Sequence, residues 1–308
     1  MQDRSVKKTW LGQSGNSLVL LLAILAIVFC IFTFLHLSYS LTNENTSEAN
    51  ASYYNGIFNW FILPANWSGF LTRPWTIFTY MFMHDGVFHM IGNLLWLWMF
   101  GFILQDLIGS RPIIPLFIYG GLVGGLFFFA CVNIFPGLKS IVASGTLEGA
   151  SAGVMAIAWA ATMLAPNYRF FPMILGGIPL WVITVIYVLI DLAGIANFSN
   201  AGGHISHIGG ALFGIAYMWQ KRKGNDWTDG MNRFFDWVNN LFRPNVNEES
   251  PRKTFHYNTN GTTPYKKVPN LTQKRIDAIL DKIGEQGYNK LTDEEKQILK
   301  RAAEDDSN

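Results

Sequence analysis

The chain has 308 residues, of which 50% are hydrophobic and only 14% are charged. This balance is too apolar for an ordinary soluble domain and predicts a membrane protein. The formal net charge is only +2, and the basic residues lie beside apolar segments or in a tail of mixed sign. We therefore predict no nucleic-acid partner and expect the lipid bilayer to surround most of the chain.

A helix needs about 20 mostly apolar residues to cross a bilayer, and six segments meet that requirement. They cover roughly 17–39, 87–108, 112–134, 149–166, 170–194 and 203–220. The first is too long for a signal-peptide core and is followed by no clear small-residue cleavage site, so we interpret it as a retained anchor. The sequence thus predicts an all-α, polytopic membrane protein. Its six-helix core would occupy 17–222, after a cytoplasmic segment at 1–16.

Lysine and arginine are divided unevenly between the two ends of these segments. One end carries Arg4, Lys7, Lys8, Arg111, Arg169, Lys221, Arg222 and Lys223. The other end carries Arg73 and Lys139. Because cytoplasmic loops are enriched in basic residues, this distribution predicts that both termini are cytoplasmic.

Four regions outside the segments have their own character. The outer loop at about 40–86 holds an apolar and aromatic cluster and is predicted to lie at the membrane interface. Residues 223–243 predict an amphipathic interfacial helix, and 244–268 a linker. Residues 269–308 predict a small cytoplasmic helical hairpin whose second helix begins with a capping box at Thr292. We expect this hairpin to stabilise the protein or to dock a cytoplasmic partner.

Two polar residues interrupt apolar segments at the same predicted depth. Ser151 lies in the run GASAG at 149–153, and His207 lies in the run GHISHIGG at 203–210. Burying an unpaired polar group in hydrocarbon costs roughly several kcal/mol, so such residues mark functional sites. A histidine within reach can take the proton that makes a serine nucleophilic. Taken alone, Ser151 could instead bond back to its own helix.

Small residues favour a close approach of the two segments. Gly149 and Gly153 are four apart on one, and Gly210 and Gly214 are four apart on the other. This spacing lets helix backbones approach closely. His207 shares a helix face with Gly210 and Gly214, so its imidazole is predicted to point toward Ser151.

These motifs resemble those of rhomboid intramembrane serine proteases. The resemblance rests on HMIGN at 89–93, GAS at 149–151 and SHIGG at 206–210, and it covers about residues 10–222. The pattern G-x-S-x-G alone also describes the nucleophile elbow of soluble hydrolases, which follows a strand. We find no strand pattern before Ser151. The order and the placement in six apolar segments favour the rhomboid interpretation.

The resemblance implies a catalytic dyad in which Ser151 is the nucleophile and His207 the general base, without an acidic third member. No acidic residue accompanies His207 in its own segment. His89, Asn93 and the Ser151 backbone amide would then donate to the oxyanion. His89 and Asn93 are four apart and share a helix face. The implied activity is cleavage of transmembrane protein substrates near the extracytoplasmic face, without a cofactor, in a bacterial inner (plasma) membrane.

Some positions depart from the family pattern. Arg73 precedes a tryptophan, whereas many members have Trp-Arg in this loop. Met155 replaces an aromatic residue that packs on the histidine ring, and its sulfur could make that contact. Ala152 follows Ser151 where many members have glycine. The fifth segment contains Gly176, Gly177 and Pro179, which interrupt a helix and could form a lateral gate.

Other interpretations stay open. His204 and His207 could be metal ligands, but no H-E-x-x-H motif or third ligand is evident, so we predict no metal site and place His204 at the water boundary. His84 is a further candidate for a catalytic role. Asp106 and Asp191 fall at opposite ends of their segments and cannot form a two-aspartate site. A non-catalytic protein that binds transmembrane clients, or a small-solute transporter, are the alternative functions.

Overall fold

The computed structural model describes residues 16–142, 145–170, 177–198, 200–241 and 273–305. Contacts divide the chain into two units, Met1–Pro244 and Asn245–Asn308. Within the described ranges both units are built of helices, and the strands are two residues long. The predicted all-α class is confirmed.

The described part of the first unit contains eleven α-helices. They are α1 (Ser17–Thr42), α2 (Thr46–Asn55), α3 (Trp67–Thr72), α4 (Thr76–Thr79), α5 (Val87–Ile108), α6 (Ile113–Ile134), α7 (Lys139–Val142), α8 (Ser151–Leu164), α9 (Leu180–Ala196), α10 (Ala201–Arg222) and α11 (Asp229–Leu241). Of the described helices, α1, α5 and α6 are long and apolar enough to cross a membrane, whereas α8 and α9 are apolar but shorter. The bundle is formed by these five and α10.

Local signals set the ends of the membrane helices. The Asn16 side chain accepts hydrogen bonds from the backbone N–H groups of Leu18 and Val19 and so caps α1. Gly109 ends α5 with a φ of 85°, a conformation that glycine adopts without strain. α6 begins directly after Pro112, whose fixed φ suits a helix start. The short connection makes α5 and α6 antiparallel neighbours.

α8 lies at the centre of the bundle, in contact with α5, α6 and α10. Its 14 residues extend roughly 21 Å at about 1.5 Å per residue, less than the hydrocarbon thickness of about 30 Å. A Cβ atom on Gly210 would lie 2.0 Å from the Ala152 carbonyl oxygen, and one on Gly214 would lie 2.2 Å from that of Ala156. The α8 and α10 backbones therefore touch, and only glycine fits at these two positions.

One strand pair joins the outer loop to the start of α8. β1 (Leu63–Pro64) pairs antiparallel with β2 (Thr146–Leu147), with Leu63 opposite Leu147. β2 lies just before Ser151, so the expectation that no strand precedes this serine was wrong. Two residues carry too little alternation for a sequence pattern to detect.

Arg73 and Trp75 close the outer loop on itself. The Arg73 guanidinium donates a hydrogen bond to the Asn59 carbonyl, and the Trp75 indole N–H donates to the Trp60 carbonyl at 2.9 Å. The two indole rings are stacked with their centroids 5.9 Å apart. The arginine that is displaced from the family pattern thus joins the two halves of the loop.

The prediction of a helical segment over 170–194 was wrong in its first part. β3 (Arg169–Phe170) pairs antiparallel with β4 (Ile178–Pro179), and α9 begins only at Leu180. Gly177 has a φ of 79°, and Pro179 directly precedes the helix, so neither interrupts α9 as a lateral gate would require. Gly176 lies outside the described residues. An apolar run alone does not distinguish strand from helix.

α11 forms within the range predicted for the interfacial helix. Its Asp236 carboxylate forms an ion pair with Arg111, which lies in the turn between α5 and α6. Arg222, at the end of α10, donates to the Met163 carbonyl near the end of α8. Arg111 and Arg222, two of the basic residues on which the cytoplasmic prediction rests, thus lie at the end of the bundle opposite Ser151. Arg4, Lys7 and Lys8 lie outside the described residues.

The second unit contains α12 (Gln273–Gln286) and α13 (Asp293–Asp305). The predicted capping box is confirmed, because the Glu295 N–H donates to Thr292 Oγ1 at 3.3 Å and the Thr292 N–H donates to the Glu295 carboxylate at 2.8 Å. Ile279, Leu291 and Ile298 form a small core between the helices. The predicted linker at 244–268 lies outside the described residues.

Candidate functional site

A cavity of about 250 Å³ opens among α5, α8, α9 and α10. Five of the residues singled out in the sequence line it: His89, Asn93, Ser151, Met155 and His207. Trp96, Glu148 and Tyr187 line the same cavity. The fold therefore brings the three sequence motifs to one place.

Ser151 is the first residue of α8. Its backbone N–H has no acceptor within the helix, as for every N-terminal helical residue. Two hydrogen bonds hold the turn before it. The Gly149 N–H donates to the Tyr80 carbonyl at 3.0 Å, and the Ala150 N–H donates to His84 Nε2 at 3.3 Å. The nucleophile candidate thus lies at a fixed turn, beside a backbone donor that has no acceptor within α8.

His84 lies under this turn, and it is not among the residues that line the cavity. Burial and, to a lesser degree, the neighbouring His89 lower the pKa of its imidazole to about 4. The ring is therefore neutral at pH 7, which leaves Nε2 free to accept from Ala150. The arrangement favours a structural role for His84 over the direct catalytic role considered from the sequence.

His89 and Gly149 are in close contact. A Cβ atom on Gly149 would lie 2.9 Å from both Cε1 and Nε2 of the His89 ring, and Gly149 has a φ of 111°. Both the space and the backbone conformation require glycine here. One turn along α5, the Asn93 side-chain amide donates to the His89 carbonyl at 3.0 Å, which leaves its second N–H available.

The glycines of α8 do not act as the sequence predicted. Gly149 precedes α8 rather than lying on it. A Cβ atom on Gly153 would lie 2.6 Å from the Phe117 ring, so this glycine faces α6 and not α10. The close approach to α10 is made instead by the backbone at Ala152 and Ala156.

His207 has an acidic partner, contrary to the prediction of a histidine without one. His207 Nδ1 lies 2.8 Å from Oδ1 of Asp191, which is fully buried on α9. His204 Nδ1 lies 2.8 Å from the same oxygen. The prediction was wrong because it considered acidic residues only within the His207 segment. The carboxylate comes instead from α9, which packs beside α10. Asp106 is exposed on α5, which leaves the rejection of a two-aspartate site in place.

Ser151 and His207 line the same cavity, and no hydrogen bond joins their side chains among the described residues. The aromatic contact expected one turn after the serine comes from elsewhere. The Tyr187 ring of α9 lies 5.7 Å from the His207 ring, centroid to centroid, at 53°. Met155 stays close by in the cavity wall.

A second acidic group lies at the cavity, immediately before the GASAG run. Burial and, to a lesser degree, the charge of Asp85 raise the pKa of the Glu148 carboxyl to about 8. The His89 ring, whose Nδ1 lies 3.6 Å from Asp85 Oδ1, lowers the pKa of Asp85. At pH 7 Glu148 is thus mainly protonated and uncharged. No sequence motif singled out this residue, although it adjoins the candidate nucleophile.

Among the described residues, two groups of side chains have the donor atoms and the spacing to hold a metal ion. One is Asp191 with His204 and His207, and the other is Asp85 with His89 and Glu148. Asp191 is therefore the candidate third ligand, beside His204 and His207, that the sequence did not reveal. In the first group both histidine nitrogens are at hydrogen-bonding distance from one carboxylate oxygen, which also accounts for the cluster without an ion.

Residues 71–224, half of the chain, match the Rhomboid domain, and residues 265–305 match a family of unknown function (DUF6576). The chain is 24% identical to the presenilin-associated rhomboid-like protein, mitochondrial, of Mus musculus, over 70% of this chain and 52% of that protein. It is 27% identical to Rhomboid protein 1, mitochondrial, of Saccharomyces cerevisiae, over 49% and 42%. It is 29% identical to Inactive RHOMBOID-like protein 8 of Arabidopsis thaliana, over 52% and 45%.

The helical bundle and these matches define an integral, multi-pass membrane protein. The chain belongs to the rhomboid family. It spans about half the length of the relatives it matches, or less. One relative is inactive by name, so membership in the family does not by itself establish catalysis. Two others are mitochondrial by name and give no support to the expected bacterial inner membrane.

Proposed function

We propose that this protein is an intramembrane serine endopeptidase that cleaves transmembrane segments of other proteins through an acyl-enzyme. The observation that carries the proposal is the shared cavity. It places Ser151, at the start of the short central helix, in one space with His207, His89 and Asn93. Four polar residues from three helices converge in an apolar bundle, and such convergence is typical of a functional site.

In the proposed reaction, His207 Nε2 removes the proton from Ser151 Oγ while this oxygen attacks the scissile carbonyl. The protonated imidazole then gives the proton to the leaving amine as the C–N bond breaks, which leaves an ester on Ser151. Water, activated by the same histidine, hydrolyses the ester. The absence of a Ser151–His207 hydrogen bond in the described cavity is compatible with this sequence, because such bonds often tighten only when substrate binds.

The carbonyl oxygen of the substrate becomes negatively charged during attack. The donors proposed for it are the Ser151 N–H, the His89 ring and the second amide N–H of Asn93, which belong to three residues that line the cavity. Donors of this kind usually supply a large share of catalysis in acyl transfer. We assign His89 and Asn93 to this role, with Gly149 kept small to leave the His89 ring in place.

Substrate access is proposed between α5 and α9. These helices meet where the Trp96 and Tyr187 rings pack edge to face, 5.2 Å apart between centroids. Phe88, in the first turn of α5, lines the cavity and is 91% exposed. A transmembrane substrate would approach sideways through the bilayer, and it must unwind locally because an intact helix hides its carbonyls in hydrogen bonds.

The proposed topology has six spans with both termini in the cytoplasm. It rests on the basic residues at the end of the bundle opposite Ser151. Because α8 is shorter than the bilayer core, its N-terminal serine would lie below the extracytoplasmic surface, in a cavity that water can enter. Cleavage would then occur near that face.

A second candidate is a non-catalytic rhomboid-like protein that binds transmembrane clients. The relative that is inactive by name is the observation in its favour. The two functions differ in whether Ser151 is chemically activated. Both histidine and serine are kept in this chain, which favours the protease.

Labelling by a fluorophosphonate probe tests the proposal without knowledge of the substrate. We expect the wild-type protein, purified in detergent and reconstituted in liposomes, to be labelled, and Ser151→Ala and His207→Ala to lose the label. Ser206→Ala is the matched control. Ser206 is a buried serine on α10 that bonds back to the Gly203 carbonyl at 2.7 Å, so its removal leaves labelling intact.

Folded wild-type protein that takes no label in detergent or in liposomes would contradict the protease and favour the client-binding protein. Label that persists in Ser151→Ala would show that another nucleophile reacts. Either result would remove the assignment of Ser151.

A further inference from the structure

The buried carboxylate of Asp191 has a specific arrangement. One oxygen lies 2.8 Å from Nδ1 of both His204 and His207, and the other oxygen has no partner among the described residues. Asp191 is one of only three buried residues on α9. An acidic side chain within an apolar helix is expensive to bury, so its position calls for a role.

The position of the hydrogen bond determines which nitrogen of His207 can react. When Nδ1 carries a hydrogen and donates it to Asp191, Nε2 has the free electron pair. Only that tautomer can accept the proton of Ser151 Oγ. The same bond fixes the ring plane and favours the imidazolium that forms during attack.

We propose that Asp191 is a positioning residue for His207, so that the site is a serine, histidine and aspartate triad built from α8, α10 and α9. This inference rests on the proposed protease function. Asp191 acts through His207 and does not touch the substrate. The proton moves only between Ser151, His207 and the leaving group or water.

The distances favour hydrogen bonds over a metal ion in this cluster. Four ligands in a tetrahedron, each about 2.1 Å from a zinc ion, would lie roughly 3.4 Å from one another. The Nδ1 atoms of His204 and His207 both lie closer than this to Oδ1 of Asp191, at 2.8 Å. That value is typical of a hydrogen bond to a charged acceptor.

The test compares Asp191→Asn, Asp191→Glu and Asp106→Asn in the full-length protein reconstituted in liposomes. Asp106→Asn is the matched control, because it is the same substitution at an exposed position on α5. For cleavage of a model transmembrane substrate, we expect Asp191→Asn to lower kcat by about 100-fold to 10,000-fold with little change in KM. Asp191→Glu should recover part of kcat, since it restores the charge.

A second measurement separates positioning from general support of the fold. In a His207→Ala background, Asp191→Asn should cause no further loss of the residual rate, because residues that act as a unit are not additive. A further loss of tenfold or more would overturn the inference. So would a wild-type kcat in Asp191→Asn, or an Asn variant more active than the Glu variant.

Chelation distinguishes a positioning carboxylate from a metal ligand. Loss of wild-type activity on chelation, with recovery on adding Zn²⁺ alone, would replace the positioning role with a metal site. Failure of the proposed function looks different, because wild type and Ser151→Ala would then be equally inactive whatever stands at residue 191. If Asp191→Asn does not fold, the chelation result and the Glu variant still decide the question.

Discussion

α10 is held by α8 and by α9 in different ways. Toward α8, Gly210 and Gly214 let the backbones touch, and a single added carbon would reach a carbonyl oxygen. Toward α9, the contact is made by His204 and His207 on the carboxylate of Asp191. The first interface has no room for adjustment, whereas the second includes the His204 side chain, which is 19% exposed and can turn outward. The interface with α8 carries the candidate nucleophile, and the interface with α9 carries the proposed partner of the base.

The largest effect is expected from Gly210→Ala, which breaks the rigid interface. The new Cβ would lie 2.0 Å from the Ala152 carbonyl oxygen, so one of the two helices must move. We expect a loss of at least about 2 kcal/mol in the free energy of unfolding, and loss of fluorophosphonate labelling at Ser151. Denaturant unfolding in detergent, followed by circular dichroism, measures the first quantity.

Gly230→Ala is the control for this substitution. Gly230 lies in α11, where an added Cβ meets nothing within 4 Å. Its replacement should leave stability unchanged or raise it slightly, because alanine is the better helix former. A Gly210→Ala variant that unfolds like Gly230→Ala would show that the α8 and α10 backbones are not in contact.

The membrane helices could largely be predicted from the sequence, because their apolar runs are long. Five of the six predicted segments begin and end within about three residues of the helices observed, an agreement within the usual uncertainty of such boundaries. The fifth failed because Arg169–Phe170 and Ile178–Pro179 form a strand pair in an apolar run that has no distinguishing period. The fourth is shorter than predicted, since the chain before Ser151 is a turn.

The candidate site could be predicted only in part. Motifs indicated His89, Asn93, Ser151 and His207 because each is polar within an apolar run. Asp191 is also polar within an apolar run. Its partner, however, depends on which helix packs beside α10, and no sequence pattern predicts this packing. Tyr187 was hidden for the same reason. Glu148 was overlooked because its raised pKa arises from burial by the folded loop.

A smaller effect is expected from Glu148→Gln, which compares the two acids near the site. Asp191 accepts two hydrogen bonds, whereas Glu148 has a pKa raised to about 8 by burial and by Asp85. The folded protein therefore holds a proton that the unfolded chain releases at a pH of about 4.3. Stability from this group is fully present below that pH and is lost as the pH rises through about 8.

Glutamine resembles the protonated acid and does not titrate. The melting temperature of Glu148→Gln relative to wild type should thus rise between pH 5 and pH 9, by about 2 °C or more. Scanning fluorimetry at the two pH values measures it. Glu44→Gln, at an exposed position, is the control and should show no such change. An equal difference at both pH values would mean that Glu148 is not protonated in the folded protein.

The smallest effect is expected from Gly194→Ala, which tests the adjustable interface. A Cβ atom on Gly194 would lie 2.2 Å from the His204 ring. That clash is with a side chain, and the His204 side chain is 19% exposed, so the ring can turn outward. We expect a loss of about 1 kcal/mol in stability and a fall of only a few-fold in kcat. His207 would still donate to Asp191, because that bond does not involve Gly194.

The measurement is the same unfolding experiment used for Gly210→Ala. If Gly194→Ala proved as unstable as Gly210→Ala, the interfaces of α10 with α8 and with α9 would be equally rigid. His204 would then be held as firmly as a backbone contact.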